Sequence, residues 1–146
     1  MTISVEIINQ LSDNYSYLIS GNKDNSSIII DPAESDKILN VLKEKKLNLN
    51  YIFITHHHSD HTSGVADLVR AYPEVKVFSP SKLNSISVNV ISDSNKITTN
   101  LNEFEIIHTP GHTLDHIVLC DLKNNLLFVG DVLFRLGCGR VFEGTL

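Results

Sequence analysis

Short apolar runs separated by turn-forming clusters occupy the first thirty residues. Ile3 to Ile8, Tyr15 to Ser20 and Ser27 to Ile30 read as strands, divided by Ser12-Asp13-Asn14 and by Gly21-Asn22-Lys23-Asp24-Asn25, both strong turn chemistry. A meander is expected there. From Ser35 to Lys46 the period changes. Ile38, Leu39, Val41 and Leu42 fall at helical spacing, with Glu34 and Asp36 early and Lys43, Lys45 and Lys46 late, the polarity that a helix dipole favours. Tyr51-Ile52-Phe53-Ile54 is an uninterrupted apolar run, too short for a buried helix and better read as a core strand. A second helix is expected over Ser63 to Tyr72, burying Val65, Leu68 and Val69, and a strand over Val75 to Phe78. The stretch from Lys82 to Asn102 is rich in Ser, Asn and Thr and predicts only a weak strand near Ile97. Three further strands follow, Phe104 to His108, His116 to Leu122 and Asn125 to Val129, the last two joined by a hairpin at Lys123-Asn124.

Length and composition narrow the class. The 146 residues suffice for one folding unit with a real core and are too few for two ordinary domains. Hydrophobic residues make up 42% and charged residues 20%, a globular balance. No run is long enough to span a membrane, and the N-terminus has neither the basic start nor the apolar block of a secretory signal, so a cytoplasmic location is expected. A net charge of −5 without a basic stripe argues against a nucleic-acid partner. Cys120 and Cys138 are the two cysteines and form no Cys-x-x-Cys pair, so histidine and carboxylate must supply any metal ligands.

The chemistry centres on Thr55-His56-His57-His58-Ser59-Asp60-His61, directly after the core strand. A loop at a sheet edge is held by a rigid element and can keep ligands in place. In an extended segment the i, i+2 spacing of His56 and His58 points both imidazoles one way; Asp60 and His61 can serve a second position. A catalytic zinc site commonly takes three protein ligands, so more donors are needed. His112 lies on a Pro-Gly turn after one predicted strand and Asp131 after another, and one edge of a sandwich can gather all three loops. Asp131 suits a carboxylate bridge between two cations. The plain alternative is a solvated polar loop without metal; a purification tag does not fit an internal position. His57, His108 and His116 are expected to be structural or to support ligands, Cys120 to be a small core residue, and Cys138 not to be a nucleophile.

The pattern His56-x-His58-x-Asp60-His61, with His112 and Asp131, resembles the ligand set of the metallo-β-lactamase superfamily, and within it glyoxalase II, the hydroxyacylglutathione hydrolases. Asp13-Asn14-Tyr15-Ser16-Tyr17-Leu18, Gly130-Asp131-Val132-Leu133-Phe134 and Gly137-Cys138-Gly139-Arg140-Val141-Phe142-Glu143-Gly144 carry the narrower match. The resemblance implies an α+β, αββα sandwich. It further implies that His56, His58 and His112 hold a first metal, that Asp60 and His61 contribute to a second, and that Asp131 bridges both; zinc, iron or manganese is the expected metal. Asp60 would also orient the activated water. Arg140 and Phe142 match positions that bind the glutathione part of the substrate, where Tyr is common at the second. Asp115 stands where relatives usually have Gly. The family also has a downstream histidine for the second metal and a C-terminal helical region. No histidine follows His116 here. The expectation is therefore the N-terminal part of the sandwich, truncated, with an incomplete second site.

The reaction implied is hydrolysis of a glutathione thioester, S-lactoylglutathione to glutathione and lactate, as in methylglyoxal detoxification. Two other functions compete: a mononuclear-iron persulfide dioxygenase, which shares the Gly-Cys-Gly-Arg region, and a non-catalytic metal-binding remnant.

Overall fold

Apolar runs without polar interruption form strands that are buried on both faces, and the computed structural model, which describes residues 2–144, shows what covers each face. Its elements in chain order are β1 (Ile3–Gln10), β2 (Asn14–Gly21), β3 (Ser26–Ile30), α1 (Asp36–Glu44), β4 (Asn48–Phe53), α2 (Ser59–Thr62), α3 (Val65–Ala71), β5 (Lys76–Ser79), β6 (Asn89–Val90), β7 (Lys96–Thr98), β8 (Glu103–His108), β9 (Ile117–Asp121), β10 (Leu126–Phe128), β11 (Leu133–Phe134) and β12 (Gly137–Cys138). A six-stranded sheet has the order β1-β2-β3-β4-β5-β6, and a four-stranded sheet the order β10-β9-β8-β7. In the first, β1 to β3 are the expected antiparallel meander, whereas β3 to β6 run parallel. The second is antiparallel throughout.

Alternate residues of one strand serve two cores. Leu18, Ile29 and Ile52 pack with Ile38 and Leu42 of α1 and with Val65 and Leu68 of α3. Their neighbours Ile19, Ile28, Ile30 and Phe53 turn the other way, against Phe104, Ile106, Leu119 and Phe128 of the second sheet. Helices, sheet and sheet thus form three of the four layers of an αββα sandwich, in agreement with the expected partial sandwich. Between the sheets the Phe53 ring stacks on Phe78 and meets Phe104 edge-on, both at 5.0 Å between centroids, arrangements that add to the burial energy.

Helix limits follow local chemistry. Helix α1 stops where Lys46 takes a positive φ of 54°; Leu47 N–H then donates to Leu42 O and Lys46 N–H to Lys43 O, the paired bonds of a Schellman ending. The expected helix over Ser63 to Tyr72 is shorter at both ends. It is preceded by α2, a single turn that carries Asp60 and His61, and Gly64 N–H leaves the helical pattern to donate to Pro32 O at 2.9 Å. In the Ser/Asn/Thr-rich stretch, β7 lies at Ile97 as expected, while β6 and the β11–β12 hairpin had no readable period because each has only two residues.

Candidate metal centre

Three loops leave the ends of β4, β8 and β10 at one edge of the sandwich and bring the candidate ligands together. His58 Nδ1 lies 3.1 Å from His56 Nε2 and 3.0 Å from His112 Nε2. A second group consists of His56, His61 and Asp131, whose ligand atoms stand within 4.8 Å of one another, as do those of the first. Asp131 spans the two: Oδ1 is 3.2 Å from His61 Nε2 and Oδ2 is 3.3 Å from His112 Nε2. Asp60 stands at the rim, part-exposed, with Oδ2 3.6 Å from His61 Nε2. It accepts a 2.9 Å hydrogen bond from Asn14 Nδ2.

Outer hydrogen bonds decide which nitrogen His56, His61 and His112 present, and residues not singled out in the sequence supply most of them. Asp31 is the main one. Buried at the end of β3, it accepts Thr55 N–H at 2.8 Å and Thr55 Oγ1–H at 2.7 Å, and it faces His61 Nδ1 at 3.0 Å. Because the Thr55 hydroxyl donates to Asp31, its oxygen accepts from His56 Nδ1 at 3.0 Å. His112 Nδ1 donates to the Arg140 carbonyl at 3.0 Å. His56, His61 and His112 therefore all turn Nε2 inward, the role of outer carboxylate and carbonyl partners in metal sites. The visible signal for Asp31 was a carboxylate that closes the apolar run Ile28-Ile29-Ile30 in front of Pro32.

His116, expected to be structural or supporting, is fully buried and holds Asp131 from behind. Its Nε2 accepts Asp131 N–H at 3.1 Å, which leaves Nδ1 to donate to Thr109 Oγ1 at 3.0 Å. Gly130 makes this contact possible. Its φ is +49°, and a Cβ there would lie 2.6 Å from Thr55 Oγ1 and 2.7 Å from His116 Nε2, so both the backbone conformation and the space favour glycine. His57 turns away from its neighbours, with Nδ1 2.9 Å from Asp115 Oδ1, and His108 bonds the Leu114 carbonyl.

Charge separates the rings further. Burial, reinforced by His61 and His116, pushes the His56 pKa down to about 2; burial likewise takes His116 to about 4. Both are neutral at physiological pH; the His56 Nε2 lone pair faces the other candidate ligands, whereas that of His116 Nε2 is taken by Asp131 N–H. His58 is lowered in the same direction by burial and by His112. Burial opposes charge on His61, but Asp131 and Asp31 together push its pKa up to about 10. Its Nε2 stands 3.2 Å from Asp131 Oδ1 and its Nδ1 3.0 Å from Asp31 Oδ2, so a carboxylate faces each ring nitrogen.

This donor set fits divalent cations. With Zn–N near ~2.0–2.1 Å, the nitrogens of a tetrahedral site stand ~3.3 Å apart, within a few tenths of an ångström of the spacings of His58 to His56 and His112. Neutral imidazoles with their lone pairs aimed at one another repel unless a cation lies between them, and His61 Nε2, buried beside Asp131 without a hydrogen-bond partner, is open to a cation once its proton is displaced.

The model of the metallo-beta-lactamase superfamily matches residues 11–88 and 86–144. The chain belongs to the metallo-β-lactamase superfamily. The hydroxyacylglutathione hydrolase of Pseudoalteromonas translucida is 41% identical over 145 residues, a match that covers 98% of this chain and 55% of that protein. The chain thus spans about half the length of the curated relatives it matches. Among solved structures, ETHE1 from Myxococcus xanthus superposes with a TM-score of 0.78 at 25% identity, over 96% of this chain and 62% of that one. The BLEG-1 B3 metallo-beta-lactamase gives a TM-score of 0.79 at 23% identity, over 95% and 76%. Against this family background, Arg140 and Phe142 border the centre. The Arg140 side chain is exposed and its carbonyl serves His112, while the Phe142 ring meets His112 edge-on at 5.2 Å and His58 at 6.0 Å.

Proposed function

We propose that the chain carries the metal-binding half of a hydroxyacylglutathione hydrolase, acting on a glutathione thioester such as S-lactoylglutathione in the cytoplasm. The observation that carries the metal reading is the convergence of imidazole nitrogens, with the His56, His61 and His112 rings each locked by an outer hydrogen bond. The 41% identity to a hydroxyacylglutathione hydrolase over 98% of the chain supports the substrate class.

His56, His58 and His112 would hold the first cation, zinc by preference, and His61 and Asp131 the second, with Asp131 placed to touch both. Divalent cations at such a site supply Lewis acidity and water activation near neutral pH. The chain's own residues do the rest. His56 stays neutral through burial, the Arg140 carbonyl fixes the His112 ring, and His116 anchors the Asp131 backbone. Asp60, held by Asn14 at the rim, is placed to orient a water beside His61. Phe142 and the exposed Arg140 are proposed to face the glutathione moiety, Phe142 through its ring since it has no hydroxyl.

The two sites differ in donors. His56 Nε2 already stands with His58 and His112, which leaves His61 and Asp131 as the second group's own ligands, with Asp60 farther off. One tightly held metal equivalent and a weaker second are expected from elemental analysis after dialysis. Two equally tight equivalents contradict this reading. Hydrolysis of S-lactoylglutathione by the zinc-loaded chain, lost with His112→Ala, tests the substrate. A one-metal reading follows from the completeness of the three-histidine group, and oxygen uptake with glutathione persulfide by the iron-loaded chain would favour it. Tight metal binding with neither activity would leave the chain a metal-binding remnant.

A further inference from the structure

Asp115 lies outside both metal groups, yet its carboxylate joins the two loops that carry the three histidines. Oδ1 faces His57 Nδ1 at 2.9 Å and accepts Thr113 Oγ1–H at 2.7 Å; Oδ2 accepts Ser81 Oγ–H at 2.6 Å. His57 sits between the ligands His56 and His58, and Thr113 follows the ligand His112. Ser81, just past β5, ties the same carboxylate to the parallel sheet. A second tie reinforces the first: Glu143 Oε2 accepts Leu114 N–H at 2.6 Å, and its Oε1 stands 3.6 Å from His57 Nε2. The Asp115 side chain is only 18% exposed. These bonds hold its carboxyl below the usual range against the opposing effect of burial, with Ser81, Thr113 and His57 responsible in that order.

We propose that Asp115 is a positioning residue for the three-histidine metal site, clamping the His56–His58 segment to the His112 loop through His57 and Thr113. The inference rests on the metal reading above. A site whose nitrogens must meet within about half an ångström depends on supports of this kind. The ligands come from separate strands, so neither loop can set the distance between them alone. Asp115 contacts no ligand atom; it acts by fixing the backbone on which His56, His58 and His112 stand. One side of the clamp borders a cavity of about 580 Å³ lined by Lys82, Leu83 and Ile86, so its loss can be relieved by water and need not unfold the chain.

The test is cobalt(II) binding to the full chain, read as affinity in a chelator competition and as the visible absorption spectrum, which reports coordination geometry. Loss of an outer partner commonly weakens metal affinity by about 10–100-fold, and Asp115→Ala is expected to do so with an altered spectrum. Asp115→Asn keeps an oxygen for Thr113 or His57 and an amide for Ser81, and is expected to restore affinity to within a few-fold. Asp121→Ala is the control for a merely structural effect: Asp121 is fully buried and binds Asn102 and Asn124, so its loss should lower stability without moving cobalt affinity. Wild-type affinity and spectrum in Asp115→Ala overturn the clamp, as does equal weakening by Asp121→Ala. If Asp115→Ala does not fold, Thr113→Val removes one arm of the clamp, and unchanged binding there overturns it equally. A wild-type chain that binds no cobalt defeats the metal reading itself, and the clamp with it.

Discussion

Gly130→Ala adds one methyl group at the point where the centre is most tightly built. The new Cβ would lie 2.6 Å from Thr55 Oγ1, 2.7 Å from His116 Nε2 and 2.9 Å from Thr55 Cβ, on a backbone with φ of +49°. The left-handed conformation costs a non-glycine residue about 1–2 kcal/mol. Forcing two well-packed neighbours aside costs about 1–3 kcal/mol more. The sum is about 2–5 kcal/mol, which at roughly 2–4 °C per kcal/mol for a domain of this size lowers Tm by about 4–20 °C. Both displaced atoms support candidate ligands: Thr55 Oγ1 fixes His56, and His116 Nε2 holds the Asp131 backbone. Metal affinity should therefore fall along with stability. Urea denaturation of the metal-free protein gives the first quantity and chelator competition the second. Gly137→Ala is the matched control, since nothing lies within 4 Å of its Cβ, and its effect should stay within about 0.5 kcal/mol. Equal behaviour of the two variants, or unaltered metal binding in Gly130→Ala, would refute the packing argument.

Other consequences follow from the same contacts. The raised His61 pKa of about 10 means that the metal-free protein holds a proton which the proposed second metal would have to displace. Affinity for that metal should rise with pH up to about 10, with one proton released on binding in calorimetry across two buffers; a pH-independent affinity would contradict it. The same shift makes a stability prediction for the metal-free chain. A His whose folded pKa exceeds its unfolded value of about 6.5 contributes fully below that pH and loses the contribution as pH climbs to about 10. Denaturation midpoints should fall across this window, and Asp31→Asn should flatten the fall because it removes the His61 partner. Phe53→Ala empties the space between Phe78 and Phe104 and should cost about 3–5 kcal/mol in denaturant titration, with no effect on the metal-ligand residues themselves.

Much of the architecture was legible because it is local or periodic. The runs Ile28 to Ile30 and Tyr51 to Ile54 are apolar throughout since each strand is covered by helices on one face and by a sheet on the other. The α1 pattern could be read from Ile38 and Leu42, and the candidate ligands could be singled out because histidines and carboxylates cluster at strand ends. Parallel pairing of β3 to β6 was not legible, since nothing in a strand's own residues states the direction of its neighbour. Nor were the two-residue strands, whose length carries no period.

At the centre, identity and arrangement divide along the same line. Which residues are rich in metal-binding atoms is a matter of residue type and short spacing, and so belongs to the sequence. Which nitrogen His56, His61 and His112 present is set by Thr55, Asp31 and the Arg140 carbonyl; apart from Thr55, these lie 28 to 30 positions from the ring they orient. Asp31, His116 and Asp115 gain their roles only where three loops meet, because a hydrogen bond between distant segments depends on the packing of two sheets, which neither segment specifies alone.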